Sequence, residues 1–342
     1  MKILVIGGGL AGSSLAFHLE EEGVEVMVLD SGVNHSTAIA AGMVNPMVFR
    51  RMNKSWRLDE FIPSATSFYQ NLEKKLNATF FHPIQIRRMF SSEQERDFWL
   101  ERESLTAFQD YLEKVSEEDK NYNLAKNEFG SGRVKNAFWV HAKLYYDLCL
   151  HYFEQKGCLL KETFDLKAFD AETGSYKNQI YDAVVFATGY RNPEFPFFQT
   201  VPVEQTKGQV LKISCNEIPE EESLNRKCFV LPIGNKTFRV GATYEWNNTD
   251  LSITEKSRDL LVNNFRVLSD VPFEILEQLS GIRPTAKDRR PFMGKHAEFN
   301  KLYIFNGLGT KGYLMAPLLA KEMTDFILHQ KPLHPETTLD RL

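Results

Sequence analysis

The first thirty residues contain the feature that most constrains the fold. An apolar run at residues 3–6 leads into Gly7-Gly8-Gly9-Leu10-Ala11-Gly12, and an amphipathic stretch and a second apolar run at residues 24–29 follow. This order predicts a strand, a helix and a second, parallel strand. Gly7, Gly9 and Gly12 match G-x-G-x-x-G, whose glycines allow a tight turn, the approach of a pyrophosphate and close helix–strand packing. The unit therefore predicts a dinucleotide-binding site at a helix N-terminus.

Asp30 ends the second apolar run. An acid about twenty residues beyond the glycines is placed to accept hydrogen bonds from the ribose hydroxyls of an adenine dinucleotide. Its charge would repel a 2′-phosphate, so NADP is disfavoured. The motif alone does not separate FAD from NAD.

Length and charge bound the class of protein. The chain has 342 residues, 43% hydrophobic and 25% charged, which leaves room for two domains and does not indicate disorder. A net charge of −4 and an acidic stretch at residues 91–128 argue against nucleic acid and favour a small-molecule partner. The first strand begins at Lys2 and no apolar run approaches the roughly eighteen residues of a membrane span, so we expect a cytoplasmic protein without a signal peptide or membrane segment.

Cysteine and histidine spacing gives no sign of a metal. The four cysteines form no C-x-x-C pair and the eight histidines form no ligand-like cluster. We therefore expect reduced, packed cysteines and no metal site. The cysteines are Cys149, Cys158, Cys215 and Cys228.

The remaining periodicity predicts a second domain rich in strands. Alternating segments between residues 201 and about 273 predict an antiparallel sheet. Arg87 and Arg88, in a predicted strand, are interpreted as solvated strand-edge charges rather than substrate contacts. Predicted helices are 58–76, 141–155 and 254–268, with a charged, surface-facing helical segment at 91–128. Predicted strands are 80–89, 137–140, 158–169, 179–186, 209–214, 228–232, 237–243 and 302–305.

Three further segments are predicted to contact a ligand. An apolar strand ends in small residues at Ala187-Thr188-Gly189, as expected where a central parallel strand faces a ligand. Residues 36–46 are small and hydroxyl-rich, which favours a loop lying along a flat ligand over a short helix capped by Ser36 or Thr37. The glycines at 307–312 precede Pro317, so the last helix is predicted to begin at about residues 314–316, with its N-terminus facing the ligand.

Taken in order, the motifs resemble the FAD-dependent D-amino acid oxidase family, particularly its glycine oxidase and sarcosine oxidase branch. They are also similar to the FAD domain of the bifunctional bacterial enzyme that makes 5-methylaminomethyl-2-thiouridine in tRNA. The resemblance rests on residues 7–12, 30, 40–43, 186–189, 207–209, 240–243, 281–284, 291–294 and 307–317. It implies an α/β fold, with a discontinuous Rossmann-like FAD-binding domain (1–78, 141–200 and 281–342) and an antiparallel-sheet substrate domain (79–140 and 201–280).

The resemblance implies FAD as cofactor. Some sarcosine oxidases link the flavin to a cysteine near the last helix, but no cysteine lies between residues 302 and 323, so we expect non-covalent FAD. The residues that correspond to cofactor contacts are Gly7, Gly9, Leu10, Ala11, Gly12, Asp30, Ser31, Ser36, Thr37, Ala41, Gly42, Met43, Thr188, Gly189, Gly309, Thr310, Lys311, Gly312, Tyr313 and Leu314.

The resemblance also suggests a substrate site. Arg283, before Pro284, matches the arginine that holds the substrate carboxylate. Phe229 stands where glycine oxidases place a tyrosine, so that hydroxyl is lost unless Tyr244 supplies one. The family also uses Glu at the ribose position, where this chain has Asp30. The implied reaction passes a hydride from the α-carbon of an amino acid to flavin N5, and the chain shows no acid/base dyad.

Three functions follow from these residues. The leading one is a stand-alone oxidoreductase that acts on the amine of a small amino acid or N-substituted glycine, with dioxygen as the expected electron acceptor. The second removes a carboxymethyl group from a wobble uridine side chain in tRNA. The third is a non-catalytic flavoprotein module.

Overall fold

The computed structural model describes residues 1–342. Its strands, numbered along the chain, are β1 (Lys2–Ile6), β2 (Glu25–Leu29), β3 (Met43–Val44), β4 (Met47–Val48), β5 (Asn53–Lys54), β6 (Phe81–Met89), β7 (Ser131–Val140), β8 (Leu159–Leu160), β9 (Phe169–Asp170), β10 (Ser175–Tyr176), β11 (Gln179–Ile180), β12 (Ala183–Phe186), β13 (Val203–Ser214), β14 (Glu222–Asn225), β15 (Phe229–Gly234), β16 (Thr237–Gly241), β17 (Glu245–Trp246), β18 (Glu274–Ala286), β19 (Phe292–Lys295) and β20 (Leu302–Asn306). The helices are α1 (Leu10–Glu21), α2 (Leu58–Leu76), α3 (Glu93–Glu103), α4 (Glu117–Lys120), α5 (Ala142–Gln155), α6 (Glu255–Leu268) and α7 (Gly312–His329).

A six-stranded sheet forms the centre of the first half of the fold. Its order is β19-β20-β12-β1-β2-β8, and all pairs are parallel except β19 with β20. Successive side chains of β1 point to opposite faces, so Ile3 and Val5 pack in the main core with α1 and α7, while Leu4 and Ile6 pack with the aromatic cluster around Phe186. This is the predicted Rossmann-like arrangement, and it places the ends of β1 and β12 side by side.

A larger sheet forms the second half. Its order is β17-β13-β16-β15-β14-β6-β7-β3, and β18 pairs with β13. The pairs are antiparallel except β14 with β6. Helix α6 packs on it through Leu261, Phe265 and Leu268. The antiparallel character predicted for the second sheet is therefore confirmed for most of its strands.

The division into two domains remains a prediction, and strand β18 crosses one of its proposed boundaries. This strand pairs with β13 from Glu274 to Ala286, with one irregularity opposite Lys212 and Ile213, so the second sheet extends past the proposed boundary at residues 280/281. Arg283 therefore lies on a strand of the second sheet, and the chain returns to the first sheet only at β19.

Arg87 and Arg88 are buried, so the prediction that their charges are solvated is wrong. The Arg87 side chain is 3% exposed, and its guanidinium donates to Asp119 and Glu222, each at 2.6 Å. The reason is that β6 lies inside the sheet between β14 and β7, and α4 supplies Asp119 to the arginine. Acids from distant segments satisfy the charge, which no local pattern indicates.

Other elements differ from their predictions in extent. Within residues 158–169 only β8 and the first residue of β9 are strand. The segment at 91–128, predicted to be helical, is α-helical only in α3 and α4. Helix α7 begins at Gly312, which places Pro317 inside it. The predicted start at residues 314–316 is therefore two to four residues late. The carbonyl of Tyr313, which Pro317 leaves without an N–H donor, accepts the Tyr69 hydroxyl at 2.9 Å instead. None of the helices combines the length and apolar character that crossing a membrane requires.

Candidate active site

A cavity with a volume of about 530 Å³ lies where the two sheets meet. Its walls are the ends of β1 and β12, the first turns of α1 and α7, the loop at residues 33–47, and parts of β13, β16 and β18. All predicted site residues line this cavity except Gly12. The placement brings together residues that are up to about three hundred positions apart in the chain, and their roles remain proposals.

Gly7 and Gly12 make the turn between β1 and α1 possible. Gly7 has φ +103°, and a Cβ atom there would lie 2.5 Å from the carbonyl oxygen of Ala187. A Cβ atom on Gly12 would lie 1.8 Å from the Gly7 carbonyl oxygen. Gly12 therefore packs the helix on the turn instead of facing the cavity, as the motif predicts.

The first turn of α1 is open to the cavity. Gly9, Leu10 and Ala11 line the cavity, and no N-cap side chain covers the helix end. The Leu10 N–H donates to the Thr37 hydroxyl at 2.9 Å, which ties the loop to the helix. The remaining N–H groups and the helix dipole make this a favourable place for an anion such as a pyrophosphate.

Asp30 is held in place by three donors. Its Oδ2 accepts the Gly8 N–H, and its Oδ1 accepts the Gly32 N–H and the Tyr146 hydroxyl, each at 2.7 Å. Burial, and then the Asp30 carboxylate, raise the pKa of Tyr146, so the phenol stays protonated as a donor. A carboxylate has about four acceptor positions, which leaves one for a ligand hydroxyl. Sequence reasoning missed Tyr146 because it lies in α5, far from the motif.

The loop at residues 33–47 contains no helix and is fastened to both halves of the molecule. The Ser36 hydroxyl donates to the Ile282 carbonyl, and the Tyr313 hydroxyl donates to the Thr37 carbonyl at 3.0 Å. The Arg239 guanidinium donates to the Ala40 carbonyl at 2.6 Å. Arg239 was also missed, since a strand arginine 199 positions away carries no local signal.

The N-terminus of α7 faces the other end of the cavity. A short 3₁₀ turn at Gly309–Lys311 leads into the helix, and no side chain caps it. Gly312 packs on Leu10, because a Cβ atom there would lie 2.9 Å from the Leu10 Cδ2. The first turns of α1 and α7 therefore converge on one cavity.

Lys311 does not lie at a solvated loop tip. Its Nζ donates to the Asn45 carbonyl at 3.1 Å and to the Ser55 hydroxyl. Burial, with a smaller effect from Arg289, lowers the pKa of Lys311 to about 8. No carboxylate offsets this charge, since both acceptors are neutral.

Arg283 presents an uncompensated guanidinium to the cavity. One nitrogen donates to the Thr243 carbonyl at 3.3 Å, and the guanidinium carbon lies 4.6 Å from the centre of the Tyr244 ring. No acid pairs with it, and burial lowers its pKa from the usual value. The guanidinium lies directly on Gly208, where a Cβ atom would be 2.2 Å from two of its nitrogens.

Phe229 and Tyr244 line the cavity near the Arg283 guanidinium. The Phe229 ring covers Gly241, where a Cβ atom would lie 2.7 Å from the ring. Tyr244 is 56% exposed and stands at the mouth of the cavity beneath the guanidinium. The pair makes one face apolar and leaves the arginine as its charged group.

The residues present fit FAD. The cavity volume is typical of a small-molecule or cofactor site. The Thr188 hydroxyl is buried against the cavity without a hydrogen-bond partner. Since buried polar groups are normally hydrogen-bonded, this is expected of a group that binds a ligand in the cavity. Two uncapped helix N-termini would suit the pyrophosphate at α1 and the electron-rich pyrimidine edge of the flavin at α7.

Comparison with known proteins supports the same cofactor. A family model described as FAD dependent oxidoreductase matches residues 2–326. The chain is 25% identical to glycine oxidase of Bacillus subtilis over 96% of this chain and 94% of the relative. It is similar in fold to the crystal structure of glycine oxidase from Geobacillus kaustophilus, with a TM-score of 0.82, 17% identity and coverage of 97% and 95% of the two chains.

A bifunctional relative is also similar. The chain is 22% identical to the tRNA 5-methylaminomethyl-2-thiouridine biosynthesis bifunctional protein of Marinobacter nauticus, across 96% of this chain but only 56% of that protein. It therefore spans about half the length of this relative.

Proposed function

Since the chain belongs to the family of FAD-dependent oxidoreductases and is an FAD enzyme, we propose that it oxidises the amine of a small amino acid or N-substituted glycine. The observation that carries this proposal is the Arg283 guanidinium, which lines the cavity without an acidic partner. A half-buried cation of this kind is best satisfied by a carboxylate that arrives with the substrate, through two parallel N–H···O bonds.

The chain's own residues would hold FAD along the cavity. The first turn of α1 would bind the pyrophosphate, Asp30 a ribose hydroxyl, and the first turn of α7 the pyrimidine edge of the ring. The loop at residues 33–47 would lie along the ring, since its ties to Ile282 and Arg239 fix it there. Bound FAD would supply a two-electron acceptor for the hydride of the substrate α-carbon. The neutral amine would become an imine, which water would hydrolyse to an oxo acid and an amine or ammonia.

The protein's contribution is orientation. Arg283 fixes the carboxylate, Phe229 and Tyr244 bound an apolar face, and together they leave the α-carbon turned toward the cofactor. Hydride transfer requires no side-chain acid or base at the α-carbon, but the substrate ammonium must first lose a proton, for which we assign water as the acceptor. Dioxygen is the oxidant we assign to the return step.

An anaerobic substrate screen tests the proposal. Glycine, sarcosine, proline and D- and L-amino acids are mixed with the oxidised enzyme, and loss of flavin absorbance is followed. At least one carboxylated amine should bleach the flavin, whereas its decarboxylated analogue should react far more slowly. Equal rates for the two would remove Arg283 from substrate recognition and overturn the proposal.

A second candidate substrate is the carboxymethylaminomethyl group of a tRNA uridine, whose leaving fragment is chemically a glycine. It is supported by similarity to the Marinobacter nauticus protein and by the basic Arg226 and Lys227 among the lining residues. The net charge of −4 weighs against it. A tRNA mobility shift that weakens steeply with salt would favour this candidate, because phosphate contacts release counterions.

A further inference from the structure

The charges at one end of the cavity are unbalanced. We call the substrate end the part lined by residues 225–229, Tyr244, residues 281–284 and Lys311. Its charged lining residues are all basic, and no acid lines this part. They are Arg226, Lys227, Arg283 and Lys311.

Only one of these charges is paired within the protein. Arg226 forms an ion pair with Glu128 at 2.9 Å. Arg283 and Lys311 donate to carbonyl and hydroxyl oxygens alone. Lys227 is exposed in the turn between β14 and β15 and makes no ion pair. Three of the four positive charges thus have no acidic partner within the protein.

The proposed substrate and cofactor account for two of them. One substrate carboxylate offsets Arg283, and Lys311 lies at the α7 terminus, where the electron-rich edge of the flavin would lie. Lys227 is left over. It is therefore the candidate partner for an anionic group on the far side of the substrate.

Strand register places Lys227 within reach of such a group. Phe229 pairs with Gly241 on β16, and Gly241 pairs with Val210 on β13. The Arg283 guanidinium lies above Gly208 on that same strand. Two strand spacings of about 4.8 Å put the β14–β15 turn roughly 10 Å from the guanidinium. A small molecule and a lysine side chain can bridge that gap.

We propose that Lys227 forms a second anion subsite and that the substrate is a dicarboxylic amine, with one carboxylate on Arg283 and the other on Lys227. Candidates of this class are N-carboxyalkyl glycines and acidic amino acids. The inference rests on the proposed function, since it assumes that Arg283 binds the carboxylate next to the reacting amine.

Binding of inert carboxylates gives a test independent of turnover. Glutarate and butyrate have similar carbon chains and differ in one charge, and each is titrated into the oxidised enzyme while the flavin spectrum is recorded. We expect glutarate to bind roughly fivefold more tightly, the upper range for a partly exposed ion pair. Lys227→Met should abolish this difference and Lys227→Glu should reverse it. Lys256→Met, which removes an exposed lysine outside the cavity, should leave it unchanged.

A substrate series completes the test. Iminodiacetate and N-(2-carboxyethyl)glycine are compared with sarcosine and N-propylglycine for anaerobic flavin reduction, and Lys227→Met should lower efficiency for the first two only. If dicarboxylates show no advantage, or if the advantage survives Lys227→Met, the second subsite is refuted while Arg283-dependent oxidation of monocarboxylates would still support the proposed function. If no carboxylated amine reduces the flavin, both fail.

Discussion

Removal of the Arg283 guanidinium is the sharpest test of the proposed site. The charge is half-buried, lies on Tyr244 and has a single long hydrogen bond to the Thr243 carbonyl. Truncating one partner of a buried charge pair costs about 2–5 kcal/mol. Since Tyr244 is 56% exposed and admits water on one side, the lower part of that range applies. At about 1.4 kcal/mol per tenfold change, Arg283→Ala should lower the efficiency of flavin reduction roughly 30- to 300-fold.

The assay is anaerobic stopped-flow reduction by the best carboxylated amine found in the screen. Arg283→Lys should recover only part of the loss, because a point charge does not reproduce the two-donor fork. Arg96→Ala, a surface arginine whose ion partner is its neighbour Asp97, is the matched control and should react as the wild type does. FAD content should be unchanged in all three variants.

An amine without a carboxylate sharpens the comparison. It should be a poor substrate for the wild type and should lose little further in Arg283→Ala, since it has no group for the guanidinium to hold. If Arg283→Ala instead loses FAD and folding, or oxidises carboxylated amines at the wild-type rate, the reasoning is wrong and the arginine is structural.

The purified protein should be yellow, and acid or heat precipitation should release intact FAD into the supernatant, whereas flavin retained in the pellet would contradict non-covalent binding. Gly9→Val should bind FAD at least tenfold more weakly in a fluorescence titration, because even a Cβ atom there lies 3.2 Å from Asn34 and Thr37 and the larger side chain takes the pyrophosphate's place. Because burial lowers the pKa of Lys311 to about 8, its positive charge is lost as the pH rises from 7 to 9, so acetate should bind more weakly over that range, and Lys311→Met should remove the step. Gly208→Ala should reduce turnover as Arg283→Ala does and retain FAD, because the new methyl group displaces the guanidinium; wild-type turnover would show that the arginine works from another position.

Local features of the sequence predict much of the fold. The β1–α1–β2 unit follows from apolar runs and glycines within thirty residues, and α2 and α6 match their predicted spans because their apolar periodicity is complete. Predictions fail where a distant group reverses a local preference. Tyr69 supplies the donor that lets α7 continue through Pro317, and Asp119 and Glu222 bury the charge of Arg87.

In the candidate site, too, some residues are predictable from local motifs and others are not. The motifs mark Gly7, Gly9 and Asp30, but no pattern in the chain indicates that Tyr146 holds the Asp30 carboxylate or that Arg239 fastens the loop. These contacts join residues more than a hundred positions apart, so their partners become visible only when the sheets are assembled.

Gly208 is a sequence feature whose structural reason is visible only in the assembled fold. A glycine inside the twelve-residue strand β13 loses packing and costs conformational entropy, so it marks a place where another group approaches closely. The sequence does not say which group. In the structure it is the guanidinium of Arg283, which lies on the adjacent strand β18. The space of one missing Cβ atom lets that charge lie against the sheet and face the cavity. Gly208 and Arg283 therefore act together, and we expect substitutions at either residue to impair substrate recognition more than they impair the binding of FAD.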